Sequence, residues 1–365
     1  MGQSFDVSFP GLGLEFTLNR VAFTLFGMPI YWYGILIALG MLLALVFAFT
    51  NNRRFGVNSN RMVDVIVLTT ICAVICGRAY YVIFSPRPYA DLWDVISIRD
   101  GGMAIYGAVL GAFFFGWLIC KWRKVPVLPM FDIAAIGFLM GQGVGRWGNF
   151  INQEAFGTNT ALPWGMFSNG TMQYLASHQA ELAAQGIMVD PSAPVHPTFL
   201  YESLWCLIGF GLLWWYSYHR KFDGEIILLY GIWYGAERAV VEGLRTDSLM
   251  WGPVRVSQML AVLLVLVCFA LWLRGRKKAK AKRAAGLTVL YADAHPDPDK
   301  EDREREAQRR QKRLARREAA PQEKEDPAGE QAAPQEKDGL PEESGAGTPE
   351  KDVENREEQE DGADH

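Results

Sequence analysis

Long apolar runs separated by short polar breaks fill the chain from residue 30 to residue 273, after which it turns abruptly charged. A helix crosses the roughly 30 Å hydrocarbon layer of a bilayer in about 20 residues. Seven segments suit that length, at 30–50, 63–84, 103–120, 127–149, 198–218, 226–243 and 255–273. The first and last are uninterrupted, whereas the fourth and sixth each carry arginine. The pattern predicts an all-α, polytopic membrane protein with seven transmembrane helices.

The polar breaks alternate in charge. Those after the first, third, fifth and seventh segments hold NNRRFGVNSNR, KWRK, HRK and RGRKKAKAKR, and the breaks between them are poor in Lys and Arg. The positive-inside tendency therefore puts the N-terminus outside and the C-terminus in the cytoplasm. Residues 1–29 form an external N-terminal segment that does not read as a cleaved signal, because no early basic residue precedes an apolar run. The break at 150–197 has neither Lys nor Arg and is too long for a turn. It predicts an external cap on the 30–273 transmembrane domain, with an amphipathic helix near 172–185.

Composition sharpens the far end. Half of the 365 residues are hydrophobic and 21% are charged, but the charge gathers after residue 274. Residues 274–365 read as a cytoplasmic, largely disordered tail that leaves the fold beyond 284, since 301–365 contain no aromatic residue to build a core. Within it EDREREAQRRQKRLARREAA has acid–base pairs at helical spacing, and APQEK occurs twice, at 320–324 and 333–337. RGRKKAKAKR suits an anionic lipid surface, and nothing points to a nucleic-acid partner. The five cysteines lie in apolar stretches and are odd in number, which argues against a disulfide framework.

Charged side chains at membrane depth are costly and usually face a protein interior or a wet cavity. Arg78 lies in CGRAYY, Arg146 in GRWGNFINQEAFG, and Arg238, Glu242 and Arg245 in YGAERAVVEGLR. Tyr234, Arg238 and Glu242 are spaced by four, and Arg245 falls near the same helical face. Two guanidiniums around one carboxylate leave surplus positive charge. That surplus suits a phosphate held bidentately, although a salt-bridge ladder fixing helix packing is the plainer alternative. In the fourth segment Asn149 follows Arg146 by three, and Asn152, Glu154 and Gly157 come just after. Asparagine offers donors and acceptors that orient glycerol or carbonyl oxygens, or glue helices together. His196 stands at the outer entrance of the fifth segment with Tyr201 and Glu202. Tyr33 and Tyr106 mark the outer ends of the first and third segments, as interfacial anchors or substrate contacts. No His-x-x-His pair, GxSxG elbow or GxxxxGK loop supports metal, serine-hydrolase or nucleotide chemistry.

GRWGNFINQEAFG, taken with DGGMAIYGAVLG, HPTFLYES and YGAERAVVEGLR, resembles bacterial prolipoprotein diacylglyceryl transferases from about residue 25 to 273. The GR-x-GNF-x-N-x-E-xx-G spacing is the most specific part. The resemblance implies a cofactor-free, multi-pass enzyme of the bacterial inner (cytoplasmic) membrane. Such an enzyme moves the sn-1,2-diacylglyceryl group of phosphatidylglycerol onto the lipobox cysteine thiol of a preprolipoprotein signal peptide. A thioether forms and glycerol 1-phosphate is released, the first step of lipoprotein maturation. The expected partners are phosphatidylglycerol, lipobox signal peptides and membrane lipids. The family's essential arginines fall on Arg146 and Arg238, and its other polar positions on Tyr33, Asn149, Asn152, Glu154, Gly157, Tyr234, Glu242 and Arg245.

In this reading Arg146, Arg238, Glu154, Glu242 and Tyr106 are the catalytic candidates, and the remaining positions, with His196, bind substrate. Arg146 and Arg238 would stabilise the phosphate as it leaves glycerol C3. One departure stands out: many relatives carry histidine where this chain has Tyr106. A phenol with a pKa near 10 is a poor base at neutral pH, so Tyr106 is expected to orient lipid. A transporter of anionic solutes would also use buried arginines, but no internal repeat is apparent. A passive scaffold would not explain why Arg, Asn and Glu converge at one membrane face.

Overall fold

The computed structural model describes residues 4–85, 89, 91–97, 101–246, 250–251 and 254–318. Four short strands open it: β1 (Ser4–Phe9), β2 (Leu14–Asn19), β3 (Val21–Leu25) and β4 (Met28–Tyr31). Helices α1 (Trp32–Asn51), α2 (Ser59–Phe84), α3 (Leu92–Ile96), α4 (Ile105–Trp122) and α5 (Val127–Asn152) follow. Next come β5 (Phe167–Ser168), α6 (Asn169–Ala184), α7 (Thr198–Ser217) and α8 (Glu225–Val241). The strands β6 (Met250–Trp251) and β7 (Val254–Arg255) lead into α9 (Val256–Ala284), α10 (Tyr291–Ala294) and α11 (Lys300–Glu318).

Among the described residues, six helices are long and apolar enough to cross a membrane: α1, α2, α4, α5, α7 and α9. The chain is a mostly helical, multi-pass membrane protein. The expected sixth segment is α8, 17 residues long and rising about 26 Å. The small sheets were not expected from the sequence. β1 pairs antiparallel with both β2 and β5, and β3 and β4 form a hairpin. The helix expected at 172–185 is α6, which starts earlier at a capping box between Ser168 and Thr171.

α5 is the central helix. Half of its apolar stretch is buried, against 11% for α9. It packs on α1 through small residues, so closely that a Cβ on Gly40 would lie 3.0 Å from the Gly141 carbonyl oxygen. Without a hydrophobic force between helices in lipid, such backbone contact is what holds them. α7 and α8 are tied by exchanged indole bonds, Trp205 to the Trp233 carbonyl and Trp233 to the Trp205 carbonyl, each 3.1 Å. Buried Asp132 of α5 accepts from the Gly224 and Ile227 amides at 2.7 and 2.9 Å, which caps the start of α8 and sets its height against α5.

α4 lies on α2 in the same intimate way. A Cβ on Gly111 would fall 2.5 Å from the Cys76 Cβ, so Cys76 is a packing residue. Arg78 has a structural job: its guanidinium donates to the carbonyls of Asp94, Val95, Gly101 and Gly102 at 2.6–3.1 Å and ties down the α3–α4 connection.

Val7, Phe150, Phe156, Met166, Leu175, Leu182, Val189, Val195 and Phe199 form a second core above the helices. It joins β1, the end of α5, α6 and the start of α7, so β1 and its partner β2 belong to the same cap as residues 150–197.

The chain does not leave the fold at residue 284. Residues 290–302 turn back onto the α1–α2 and α7–α8 connections. The Tyr291 amide donates to Asp223 at 2.7 Å, and Asp299 accepts from the Ser59 amide at 2.8 Å and its hydroxyl at 3.0 Å. Asp302 accepts from Asn58 at 2.8 Å. These are polar clasps by short acidic side chains, and hydrophobic spacing carries no trace of them. The acid–base-rich stretch is helical as α11, while both APQEK repeats lie outside the described residues. Asp299→Ala removes an acceptor from the first turn of α2. It is expected to destabilise the detergent-solubilised protein by about 1 kcal/mol, read as a lowered melting temperature, with Glu301→Ala as the unaffected control.

Candidate active site

The arginines expected from sequence meet on one buried carboxylate. Glu202, 1% exposed on α7, lies 3.0 Å from Arg146 of α5 and 3.5 Å from Arg238 of α8. Arg245, beyond the end of α8, stands 3.9 Å from it. Arg238 also reaches Glu242 one helical turn on, at 2.6 Å. Three guanidiniums thus share two buried carboxylates, Glu202 and Glu242, and the cluster carries one surplus positive charge. Arg146 and Arg238 each keep about a fifth of their side chain accessible. A guanidinium has five donors in a rigid fork, so donors remain for an anion after the carboxylates are served.

The frame around the cluster explains its placement. Trp147 donates to Ser203 at 3.2 Å, and Ser203 donates to the Gly143 carbonyl at 2.8 Å, which strap α5 to α7 beside Arg146 and Glu202. Arg255 donates to the Glu242 carbonyl, and Gln258 to that of Ala239 at 2.7 Å, fixing the end of α8 against α9. Gly157 bridges to Arg245, and its amide donates to the His196 carbonyl at 3.0 Å. A Cβ there would lie 2.8 Å from the His196 Cβ and 3.0 Å from the Leu244 carbonyl oxygen. Gly157 is therefore the seam between the cap, the start of α7 and the Arg245 segment.

A second polar group sits one turn along α5. Asn149 and Asn152 both donate to Glu154, at 2.9 and 3.4 Å, and Arg20 donates to Asn152 at 3.2 Å. Tyr33 of α1 lies against α5 at Gly148, where a Cβ would fall 2.4 Å from its ring, within electrostatic range of both Glu154 and Arg146. Tyr234 stacks on Tyr230 with centroids 5.9 Å apart. His196 faces Tyr201, Nδ1 to hydroxyl 3.2 Å, and burial holds its imidazole below the usual histidine range, so it is neutral at pH 7.

Tyr106 stands apart. It is half exposed, and among the described residues no hydrogen bond or ring contact joins it to the arginines. Sequence reasoning missed two residues from its site list. Arg20 lies in a strand region with no spacing to betray it. Glu202 was visible in HPTFLYES, but a tally of charge on one helix does not reveal a carboxylate shared by three. Among the described residues no cluster of His, Cys, Asp and Glu could hold a metal ion. Two open depressions, about 560 and 510 Å³, lie on the cap, one at Ser4, Phe5 and Asn169 and one at Gly11, Asn159 and Pro194, away from the arginines.

Residues 20–274 match the family described as prolipoprotein diacylglyceryl transferase. The chain belongs to that family. It is 40% identical over 263 residues to the phosphatidylglycerol–prolipoprotein diacylglyceryl transferase of Finegoldia magna, covering 72% of this chain and 97% of the relative. The enzymes of that name from Clostridioides difficile and Bacillus cereus are 38% and 40% identical, over 68% and 74% of this chain and 92% and 97% of their own lengths. Residues 275–365 thus lie beyond the family match.

The shared carboxylate makes a sharp prediction. Glu202→Gln leaves three guanidiniums short of a buried counter-charge and is expected to destabilise the protein by about 3–5 kcal/mol in detergent. In a double-mutant cycle, Arg146→Gln should cost at least ~1 kcal/mol less on the Glu202→Gln background than on wild type. Additive effects would show that the two side chains do not act as a pair.

Proposed function

We propose that the Arg146–Glu202–Arg238 cluster is the seat of diacylglyceryl transfer. The chain takes the sn-1,2-diacylglyceryl group from phosphatidylglycerol and places it on the cysteine thiol of a prolipoprotein, the first step of lipoprotein maturation. The thiol attacks glycerol C3, a thioether forms, and glycerol 1-phosphate leaves. The observation that carries this placement is the set of guanidinium donors left over by the ion pairs, held at fixed geometry by a buried carboxylate and still partly accessible.

As the C3–O bond breaks, the phosphate passes from one negative charge to two. Donors aimed at the leaving oxygen in a poorly solvated site stabilise that second charge far more than water-facing donors would. Arg146 and Arg238 supply them, and Glu202 spares the site the rearrangement of free side chains. Glu242 and Arg245 extend the network. The Asn149–Asn152–Glu154 group and Tyr33 orient the headgroup, Tyr234 lines the approach, and Gly157 and His196 hold the cap over it. Tyr106, set apart on α4, contacts lipid rather than the reacting atoms.

The reading also places the molecule in the cell. Counting α8 as the sixth span makes seven in all, and the connections rich in Arg and Lys fall after spans one, three, five and seven, which supports an outside N-terminus and a cytoplasmic C-terminus. The membrane is the bacterial inner membrane, residues 30–273 are the catalytic domain and the 150–197 cap is external. The peptide partner carries its lipobox at the end of a membrane-seated signal peptide.

Arg238→Lys keeps the charge and loses the fork. Turnover of purified protein in phosphatidylglycerol vesicles, followed by mass detection of a lipidated lipobox peptide, is expected to fall about 100-fold or more, with the melting temperature little changed. Wild-type turnover in that variant would remove Arg238 from the reaction.

A further inference from the structure

The transfer reaction leaves a proton without a destination. The attacking thiol must lose it, and the candidate acceptors are occupied. Glu202 and Glu242 are held by guanidiniums, Glu154 is held by two asparagine amides, His196 in the cap is engaged by the Tyr201 hydroxyl at 3.2 Å, and Tyr106 lies apart. One carboxyl remains. Glu237, adjacent to Arg238 on α8, is 4% exposed, and its Oε1 is buried with no hydrogen-bond partner. Among the described residues no cation stands within ion-pair distance of it. A buried carboxyl without a partner is costly, and an ionisable residue at membrane depth points to function.

We propose that Glu237 accepts the thiol proton during diacylglyceryl transfer, an inference that rests on the function assigned above. Its surroundings fit the role. Facing it are Arg146 from α5, Glu202 and Cys206 from α7, and Arg238, Tyr230 and Tyr234 from α8 itself. α9 packs on α8 through Gly231 and Gly235 and brings Cys268 as its nearest titratable group there. Ionised Glu237 cancels the single surplus positive charge of the three arginines and two glutamates. In the reaction the sulfur electron pair forms the S–C3 bond and the C3–O pair leaves with glycerol phosphate. The thiol proton moves to Glu237, directly or through one water. The phosphate gains a negative charge as Glu237 loses one, so the total charge of the poorly solvated site is the same before and after the step. Proton transfer and leaving-group charge are coupled through the same arginines, and the next turnover requires only that Glu237 release its proton as the product departs.

The test compares two lipobox peptides, one with cysteine and one with selenocysteine, on full-length wild type and Glu237→Gln in phosphatidylglycerol nanodiscs. A selenol ionises at neutral pH without a base. On the cysteine peptide Glu237→Gln is expected to lose about 100-fold or more in kcat, with the KM for lipid nearly unchanged, and to lose the acid limb of the wild-type kcat–pH profile. On the selenocysteine peptide the loss should shrink below about tenfold. Equal losses on the two peptides, or a wild-type kcat with its acid limb intact, overturns the proposal. If Glu237→Gln does not fold, Glu237→Asp decides: its acid limb should move with the altered carboxyl, and an unmoved limb overturns the assignment. Wild type that forms neither thioether on the cysteine peptide nor selenoether on the selenocysteine peptide instead overturns the function itself, which keeps the two failures distinct.

Discussion

Three guanidiniums gathered on one buried carboxylate, at the depth where a membrane is poorly solvating, set the terms for the rest of this molecule. In such a medium an unpaired charge is severely penalised and a paired one is strongly held, so Glu202 can fix Arg146, Arg238 and Arg245 from three separate segments. The fold is arranged to make that meeting possible. Close glycine packing seats α1 on α5, Asp132 sets the height of α8, and the Trp205–Trp233 exchange locks α7 to α8. Each device fixes a helix that carries a member of the cluster or its support. A network with more guanidiniums than ion-paired carboxylates is poor as pure packing glue, because an internal ladder gains most when its members pair one to one. As a receptor for an anion that acquires a second charge in its reaction, the same excess of donors is what the chemistry requires.

Much of this was legible in the sequence, for identifiable reasons. The 3.6-residue stripe of Tyr234, Arg238, Glu242 and Arg245 and the compact GRWGNFINQEAFG motif are local, and local spacing survives folding. Lengths of apolar runs likewise gave the helices, since bilayer thickness acts on each separately. What was not legible depends on contacts between distant segments. Glu202 gains its importance only when α5, α7 and α8 come together. Arg20 enters the Asn152 group from the bend between β2 and β3, beside residues 21–31 that lack the alternation that marks a strand. The docking of residues 290–302 uses single aspartates that resemble the rest of an acidic tail. Tyr106 shows the reverse case: a motif placed it among the catalytic candidates, and geometry leaves it on α4 without a bond to the arginines.

The family match ends at residue 274, yet the helix that carries it continues to Ala284 and the chain then turns back onto two connections of the bundle. Polar clasps such as Asp299 on Ser59 hold the end of the bundle opposite the arginine cluster. Residues 275–365 lie outside the stretch shared with relatives that match over nearly their whole length while covering about three-quarters of this chain.

The most direct measurement is an experimental structure of the protein bound to a phosphonate analogue of phosphatidylglycerol that cannot undergo C–O cleavage. Phosphonate oxygens are expected within hydrogen-bond distance of both Arg146 and Arg238, with Glu202 still between the two side chains. A headgroup bound elsewhere, with both arginines turned wholly onto Glu202 and Glu242, would contradict it.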